Sequence, residues 1–459
     1  MPSRQDQLHS YQFTIQRAVA ALVMRETDPA QSPFRRLAGA ALASVLVAAI
    51  GLGGSALYGL LTGGGGTWRD SGAVIVERES GARFVYREEK LHPVLNYASA
   101  LLITGAERPR TVLVSRRSID GVPRGLPLGI ADAPDSLPAA GRLSAAPWTV
   151  CSVAATEAGR RESRSALLIG VDGAGGRPLG EAALLLRDPD GRLHLLRHQR
   201  RHLIRDADRV LAALATTRAR AVPVAAALLN TVPAGDDLAP PELPGLGERS
   251  ARVAGARVGD VLLVSNSGGG RQHAVVLRDG LAGITELQAG LLLARTGQRE
   301  PEQLSLGRFA TLPQLADLAP TGPGAPPTAP PRLATVDSPT LCARVGDDGG
   351  PIELRHGVDL PELTAAPRTV TGAPRATAAD HVLVAPGRGV LVESAPAPGA
   401  PGGAISVVTD LGRRYVLAGA GVPAMLGYGE VTPVRLPAAL VSLVPAGATL
   451  DPEAARQAA

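Results

Sequence analysis

The sequence predicts an α+β fold. A single N-terminal transmembrane helix leads into a large extracytoplasmic domain of four β-hairpin/helix repeats, arranged in two pseudo-symmetric halves around a central β element. Three observations predict it. Leu37 to Leu61 is an uncharged apolar run that follows directly on Arg35 and Arg36. Beyond it, four stretches share a strand–turn–strand–helix pattern. Two of these regions also repeat a proline–glycine motif at a fixed offset.

The apolar run comes first. A helix of its length reaches about 37 Å, more than the roughly 30 Å hydrocarbon core of a bilayer. Residues 1–36 form a tail before it, 37–61 the span, and 62–72 a tether containing the four glycines Gly63 to Gly66. Arg17, Arg25, Arg35 and Arg36 precede the span closely, whereas Arg69 and Arg78 alone follow it closely. Basic residues stay on the cytoplasmic side, so the N-terminus is expected inside and the bulk of the chain outside. A cleaved signal peptide is the alternative, but the long leader and the long apolar stretch both exceed its usual dimensions. Within the span, Gly51, Ser55 and Gly59 recur every fourth position, a small-residue stripe along which a second helix can approach.

The tail carries a pattern of its own. Leu8, Tyr11, Ile15, Val19 and Leu22 follow three-four spacing and predict one apolar stripe on a helix that ends before Thr27-Asp28-Pro29. Its few arginines are offset by Asp6 and Glu26, too thin a charge for a lipid-surface helix, so a protein groove is the expected partner.

The exported domain is expected over 73–455. Its four hairpins are read at VIVERESGARFVY (74–86), LLLRDPDGRLHLL (184–196), VLLVSNSGGGRQHAVVL (261–277) and ISVVTDLGRRYVL (405–417). Repeat units are placed near 73–121, 166–245, 250–318 and 395–455, with the central element drawn from 122–165 and 332–394. Val232-Pro233-Ala234-Gly235 recurs as Val444-Pro445-Ala446-Gly447. At the same offset, Ala226-Ala227-Leu228 matches Ala438-Ala439-Leu440. Units this small bury too little surface alone and must pack on neighbours. Ala319–Pro331 and Ser394–Gly403 read as proline-rich connectors.

Composition narrows the function classes. Lys90 is the sole lysine among 47 basic residues, and the chain holds 54 glycines and 39 prolines, a bias that makes the net charge of +5 uninformative about partners. Only 3% of residues are aromatic, too few for the stacking platforms of a nucleic-acid binder or the clustered rings of a glycan binder. No P-loop is present, because Lys90 follows Arg87-Glu88-Glu89 with no glycine loop before it. His194, His198 and His202 have helical spacing, but the hairpin register places His194 on a strand and His202 past a turn. Nearby arginines oppose a cation, and the three read as solvated surface histidines. The run Gly346-Asp347-Asp348-Gly349-Gly350 reads as a turn, since Gly349, Pro351 and Val358 stand where a calcium loop needs ligands. No catalytic constellation, metal site, cofactor or small-molecule substrate is expected. Cys151 and Cys342 both fall on the exported side, where a disulfide is favoured over two free thiols or a metal pair.

The N-terminal residues Pro2 to Phe13, with Gln16-Arg17 and Ala20-Ala21-Leu22, closely resemble the opening of the EccB family. That family is the single-pass membrane component of actinobacterial type VII (ESX) secretion systems. Tyr86 onward with His92-Pro93-Val94-Leu95-Asn96, the Gly129-Ile130 to Leu137-Pro138 stretch, and Trp148-Thr149-Val150-Cys151 resemble it too. The resemblance implies a scaffold subunit of an inner-membrane complex with EccC, EccD and EccE and with further copies of itself, EccC being the motor. It also implies a four-repeat domain held by one disulfide that matches Cys151 and Cys342. Some EccB proteins are described as ATPases, which makes nucleotide hydrolysis one alternative; membrane-anchored binding of cell wall is the other. The sequence departs from some relatives in lacking a long proline-rich stretch after the fourth unit.

Overall fold

The computed structural model describes residues 3–24, 33–62, 67–70, 72–144, 147–157, 160–266, 268–336, 340–346, 349–361, 378–396, 400 and 402–459. The break at 27–29, the glycines of the tether, Asp347-Asp348 of the 346–350 turn and part of the 394–403 connector lie outside them. Two units emerge, one formed by 1–70 with 114–120 and the other by 71–113 with 121–459.

The first unit holds α1 (Arg4–Met24) and α2 (Pro33–Thr62). Ser3 caps α1: its hydroxyl accepts the Asp6 amide at 3.3 Å, while the Asp6 carboxylate accepts the Ser3 amide at 3.0 Å. This reciprocal pair satisfies two amides that a helix start otherwise leaves open. Inside α2, Ala38–Ser55 is long and apolar enough to cross a membrane.

The second unit is built from sheets. Its chain begins with β1 (Ala73–Glu77), β2 (Arg83–Arg87), β3 (Lys90–Pro93), α3 (Tyr97–Thr104) and β4 (Arg110–Val114); α4 (Arg116–Ile119) falls in the 114–120 segment grouped with the helices. Then come β5 (Trp148–Glu157), β6 (Arg160–Ile169) and β7 (Ala174–Pro178). A second group follows: β8 (Leu184–Arg187), β9 (Leu193–Arg197), β10 (Arg200–Leu203), α5 (Ala207–Ala213), β11 (Val222–Pro223) and α6 (Ala226–Thr231). The third is β12 (Val261–Ser265), β13 (Arg271–Val276), β14 (Leu281–Ile284), α7 (Glu286–Thr296), β15 (Glu302–Leu304) and α8 (Leu306–Thr311). Next are β16 (Leu341–Val345), β17 (Ile352–Asp359) and β18 (His381–Val384). The last group is β19 (Gly389–Ala395), β20 (Ala404–Thr409), β21 (Arg414–Val416), α9 (Val422–Met425), β22 (Val434–Pro437), α10 (Ala438–Val441) and α11 (Pro452–Ala455).

Four sheets share one strand order, third–second–first–fourth: β3-β2-β1-β4, β10-β9-β8-β11, β14-β13-β12-β15 and β21-β20-β19-β22. Each is an antiparallel meander of three strands, not a lone hairpin. After the helix the chain adds a fourth strand; β11, β15 and β22 run parallel to β8, β12 and β19. A crossing segment then returns to pair with the third strand. The carbonyls of Pro123, Pro233, Pro313 and Pro445 accept the amides of Leu91, Arg201, Leu281 and Arg414 at 2.8–3.0 Å. Five residues on, the amides of Leu128, Leu238, Leu318 and Leu450 donate to the same strands. A P-x-G/L-x-x-L pattern thus closes all four sheets, although its sequence match is plain only between the second and fourth.

The fifth sheet is central, with order β18-β6-β5-β16-β17-β7. Ser165 on β6 and Asp380 beside β18 lock together. The carboxylate accepts the Ser165 amide and hydroxyl at 2.7 and 2.8 Å, and the hydroxyl accepts the Asp380 amide at 2.9 Å.

Several expected boundaries differ from this arrangement. Residues 160–169 belong to the central sheet and do not open the second unit. Residues 123–128 close the first sheet rather than joining the centre. The hairpin read at 405–417 joins the second and third strands of its sheet, whereas the other three join the first and second. The cause is local: the proline- and glycine-rich stretch that reads as a connector lies between β19 and β20, which pair antiparallel as the first two strands of the sheet. The halves are nested too. The first and fourth units share one hydrophobic cluster around Leu101, Leu102, Tyr415 and Leu450. The second and third share another through Leu195, Val210, Leu287 and Leu291. The largest cluster joins the central sheet, through Trp148, Leu167 and Ala343, to the second and fourth units through Leu228 and Leu440.

Candidate functional site

The N-terminal helix presents the first candidate surface. Leu8, Tyr11, Ile15 and Leu22 are all exposed, Leu22 at 84%, and Val19 is half-buried. Phe13, off the predicted stripe, is exposed as well. Apolar side chains at this density on a helix are unfavourable in water, which makes this face a candidate contact surface. On α2, nothing lies within 4 Å of where a Cβ on Gly51 would stand, and the Ser55 hydroxyl donates to the Leu52 carbonyl at 2.9 Å. Ser55 therefore satisfies its own polar group inside the helix and leaves the stripe smooth. Gly59 lies on the same helix, with its surroundings outside the described residues.

Cys151 and Cys342 are brought together and bonded. They face each other in register on the antiparallel pair β5 and β16, buried among Ala166, Leu168 and Val358. The bond spans 191 positions. In the chain-entropy model such a closure stabilises by about 5 kcal/mol, because it removes so many unfolded conformations. It links the strand before the second unit to the strand after the third, inside the sheet on which the second and fourth units pack.

The three histidines do not converge. His194 lies opposite Leu203 and His202 opposite Leu195, so the two occupy adjacent register positions and point to opposite faces of one sheet. Both are buried, contrary to the expectation of solvated side chains, because strands two and three of this unit are covered on both faces. His194 Nε2 meets the buried Asp188 carboxylate at 3.2 Å, which also receives Arg192 Nε at 2.8 Å. Burial alone would push Asp188 up, but the hydrogen bonds from His194 and Arg192 outweigh it and hold the carboxyl below its usual range. Burial pulls His194 down in turn, only partly offset by Asp188. Exposed His198 pairs instead with Glu181, at 2.6 Å.

One local device escaped the sequence reading. His202 sits over Gly235 and donates from Nδ1 to the Asp236 carbonyl at 2.8 Å; His92 sits over Gly125 and donates to the Leu126 carbonyl at 3.0 Å. Tyr415 covers Gly447 in the same way. At each glycine an added Cβ would overlap the ring. In the third unit the pair is Ala282 and Leu315, the bulk having moved from strand to crossing segment. The recurring glycine was the available signal.

These features define a class: a protein with an apolar helix long enough to cross a membrane, an exposed apolar N-terminal helix and a disulfide-bonded domain of small sheets. The chain belongs to the EccB family, since the family profile described as "Type VII secretion system ESX-1, transport TM domain B" matches residues 1–459. Among relatives, the ESX-3 secretion system ATPase EccB3 of Mycolicibacterium smegmatis is 31% identical over 97% of this chain and 88% of its own length. The ESX-5 secretion system ATPase EccB5 of Mycobacterium marinum is 31% identical over 78% of this chain and 73% of its own. Among solved structures, a chain of the intact ESX-5 inner membrane complex covers all of this chain with a TM-score of 0.68 at 27% identity, 96% of its own length being covered. The EccB3 dimer from the ESX-3 core complex covers 84% with a TM-score of 0.63 at 30% identity, all of its own length being covered.

Proposed function

We propose that this chain is a structural core subunit of an inner-membrane type VII secretion complex, working by holding partners rather than by catalysis. The family match over the full 459 residues carries the reading, supported by neighbours that are themselves inner-membrane assemblies. The N-terminus lies in the cytoplasm and the sheet-built domain outside, as the arginine distribution favours. Inside, α1 docks through Leu8, Tyr11, Ile15, Val19 and Leu22 onto a cytoplasmic groove of the motor subunit, EccC by family resemblance. In the bilayer, the Gly51–Ser55–Gly59 stripe receives a helix of EccD, EccE or a second copy. Outside, the domain associates with further copies of itself.

Relatives named as ATPases raise nucleotide hydrolysis as the competing reading. The sequence offers no phosphate-binding loop ahead of its single lysine. The test is a deletion of residues 2–26 in the full chain. Loss of co-purification with the motor subunit, with membrane insertion and the disulfide retained, is the expected result. Unchanged co-purification refutes the docking role of α1. ATP hydrolysis by the purified chain that one point substitution abolishes replaces the scaffold reading with an enzymatic one.

A further inference from the structure

The turn between β2 and β3 carries an unusual arrangement of charge. Arg87 and Lys90 stand directly opposite each other in the antiparallel register, flanking Glu88 and Glu89. Like charges in that position repel across the strand pair. Both glutamates also adopt left-handed backbone, with φ of 50° and 60°, a conformation that non-glycine residues seldom take. The second unit has the same turn: Arg197 opposes Arg200, and His198 and Gln199 have φ of 46° and 63°.

There the charge is answered within the chain. Glu181 accepts from His198 at 2.6 Å and lies 4.0 Å from Arg197. In the first unit no ion pair reaches Arg87 or Lys90 among the described residues. A cavity of about 370 Å³ lies in that position instead, lined by Arg87, Glu88, Lys90, His92 and Arg456. Three cations against one carboxylate leave a double positive charge around it. Gly125 and Leu126 also line it, and the His92 imidazole is held by the Leu126 carbonyl at 3.0 Å.

We propose that this cavity is an anion site for a phosphate group, filling from outside the role that Glu181 fills internally in the second unit. A phosphate monoester suits it better than a lone carboxylate. It brings close to two negative charges near neutral pH and three acceptor oxygens, matching three donors on separate elements. Arg87 and Lys90 offer donors from the turn and Arg456 from the segment after α11, while Glu88 sets the upper limit on charge by repelling more anionic ligands.

The experiment titrates the full chain in detergent with inorganic phosphate, against sodium chloride at matched ionic strength, by calorimetry and thermal melting. Saturable binding is expected, weakened at least tenfold by Arg87→Ala or Lys90→Gln and strengthened by Glu88→Gln. Arg197→Ala at the sister turn should leave it unchanged. Without phosphate, Lys90→Gln should melt higher than the parent, since it relieves the repulsion across the turn. Glu88→Gln keeps the test informative if either cation variant fails to fold. Heat and melting shifts no larger than those from chloride overturn the proposal, as does binding that survives both Arg87→Ala and Lys90→Gln undiminished. Adding phosphate-headgroup vesicles separates the source of the group. Competition by vesicles assigns it to a lipid, and its absence to a soluble phosphate.

Discussion

Among the described residues, the second and fourth sheet units share the core of the central sheet, and the cluster that joins them contains no residue of the first or third. All four share a strand order, so topology does not decide which units bind the centre. The decision lies in the helix after the fourth strand. α6 packs against β5, β6 and β16, while α10 packs against α6 and its own sheet. Leu228 of α6 and Leu440 of α10 are buried in the shared core. Counted from the following proline, the same position in the third unit is Arg308, which is exposed, and in the first it is Ser118. One position further on, every unit keeps an apolar residue: Leu229, Phe309, Val441 and Ile119. Phe309 packs beside Leu262 and Val276 of its own sheet. The position of Leu228 and Leu440 is thus the outward one, apolar where the unit joins the centre and exposed as Arg308 where it does not; Leu229 and Val441 join the same shared core, while Phe309 packs on its own sheet. Outer units of stacked architectures commonly take a polar face in this way.

The largest expected effect exchanges those outward residues. Leu228→Arg or Leu440→Arg buries an unpaired guanidinium in the main core and should destabilise the domain by more than about 4 kcal/mol. Arg308→Leu, at the matching exposed position, should change stability by less than about 0.5 kcal/mol. Denaturant unfolding of the three variants measures both. Comparable losses at Leu228 and Arg308 would break the distinction between inner and outer units.

The disulfide comes next. Replacing Cys151 and Cys342 by alanine together should lower stability by roughly 2–5 kcal/mol, an entropic effect on the unfolded chain. The loss should fall on the central sheet and its two attached units. Hydrogen exchange should therefore rise at Leu167, Leu228 and Leu440 before it rises at Val275 in the third unit. Uniform loosening would show that the outer units depend on the centre for their own folding.

Much of this was legible in the sequence, unevenly and for physical reasons. Helices cover both the apolar stretch at 37–61 and the N-terminal stripe, the former signalled by an unbroken apolar run and the latter by three-four spacing. The Ala-Ala-Leu and Val-Pro-Ala-Gly matches between residues 226–235 and 438–447 stood out because they belong to the two units that meet the central sheet. In the outer units the Pro-x-x-x-x-Leu frame survives, with the glycine kept as Gly125 in the first and replaced by Leu315 in the third. The fourth unit was read one hairpin out of register because a Gly-Arg turn recurs there between different strands. His194 and His202 were misjudged because flanking arginines suggest solvent, whereas those arginines snorkel or pair: Arg192 with Asp188, and Arg201 Nε with the Val232 carbonyl at 3.1 Å. The nesting of the units had no local signal, since it depends on contacts between distant segments.

A smaller effect sharpens the comparison within the closing segment. At Gly235 and Gly447 an added methyl meets the ring of His202 or Tyr415, so Gly235→Ala and Gly447→Ala should each cost about 1–3 kcal/mol. In the third unit the bulky residue at the glycine position is Leu315, which is exposed, and the matching strand position is the small Ala282. Leu315→Ala should therefore cost no more than about 1 kcal/mol. Thermal melts of the three variants test the ranking; a Leu315 variant as damaging as Gly235→Ala would mean that the third unit closes by a different packing.

The smallest effect is acid sensitivity, and it separates the second unit from the fourth. His202 and Tyr415 occupy the same place over the same glycine. Burial lowers the pKa of His202 below its ordinary 6.5, more than the Asp236 carbonyl and carboxylate raise it. Burial raises that of Tyr415, so this phenol stays neutral throughout the acid range. For His202 the sign is fixed by which state binds the proton. Above pH 6.5 the imidazole is neutral in both folded and unfolded chains, and its contribution to stability is complete. As pH falls below 6.5 the unfolded chain takes up a proton that the folded chain resists, and stability drops until the depressed folded pKa is passed. His194 moves in the same direction and adds to the effect. Between pH 7.5 and 5, exchange protection of 233–238 should therefore fall while that of 445–450 holds. His202→Tyr, which installs the fourth unit's residue in the second, should flatten most of the difference and leave the part due to His194. Equal loss of protection in both segments, or a pH response unchanged by His202→Tyr, would show that the ring over the glycine does not set the acid stability of its unit.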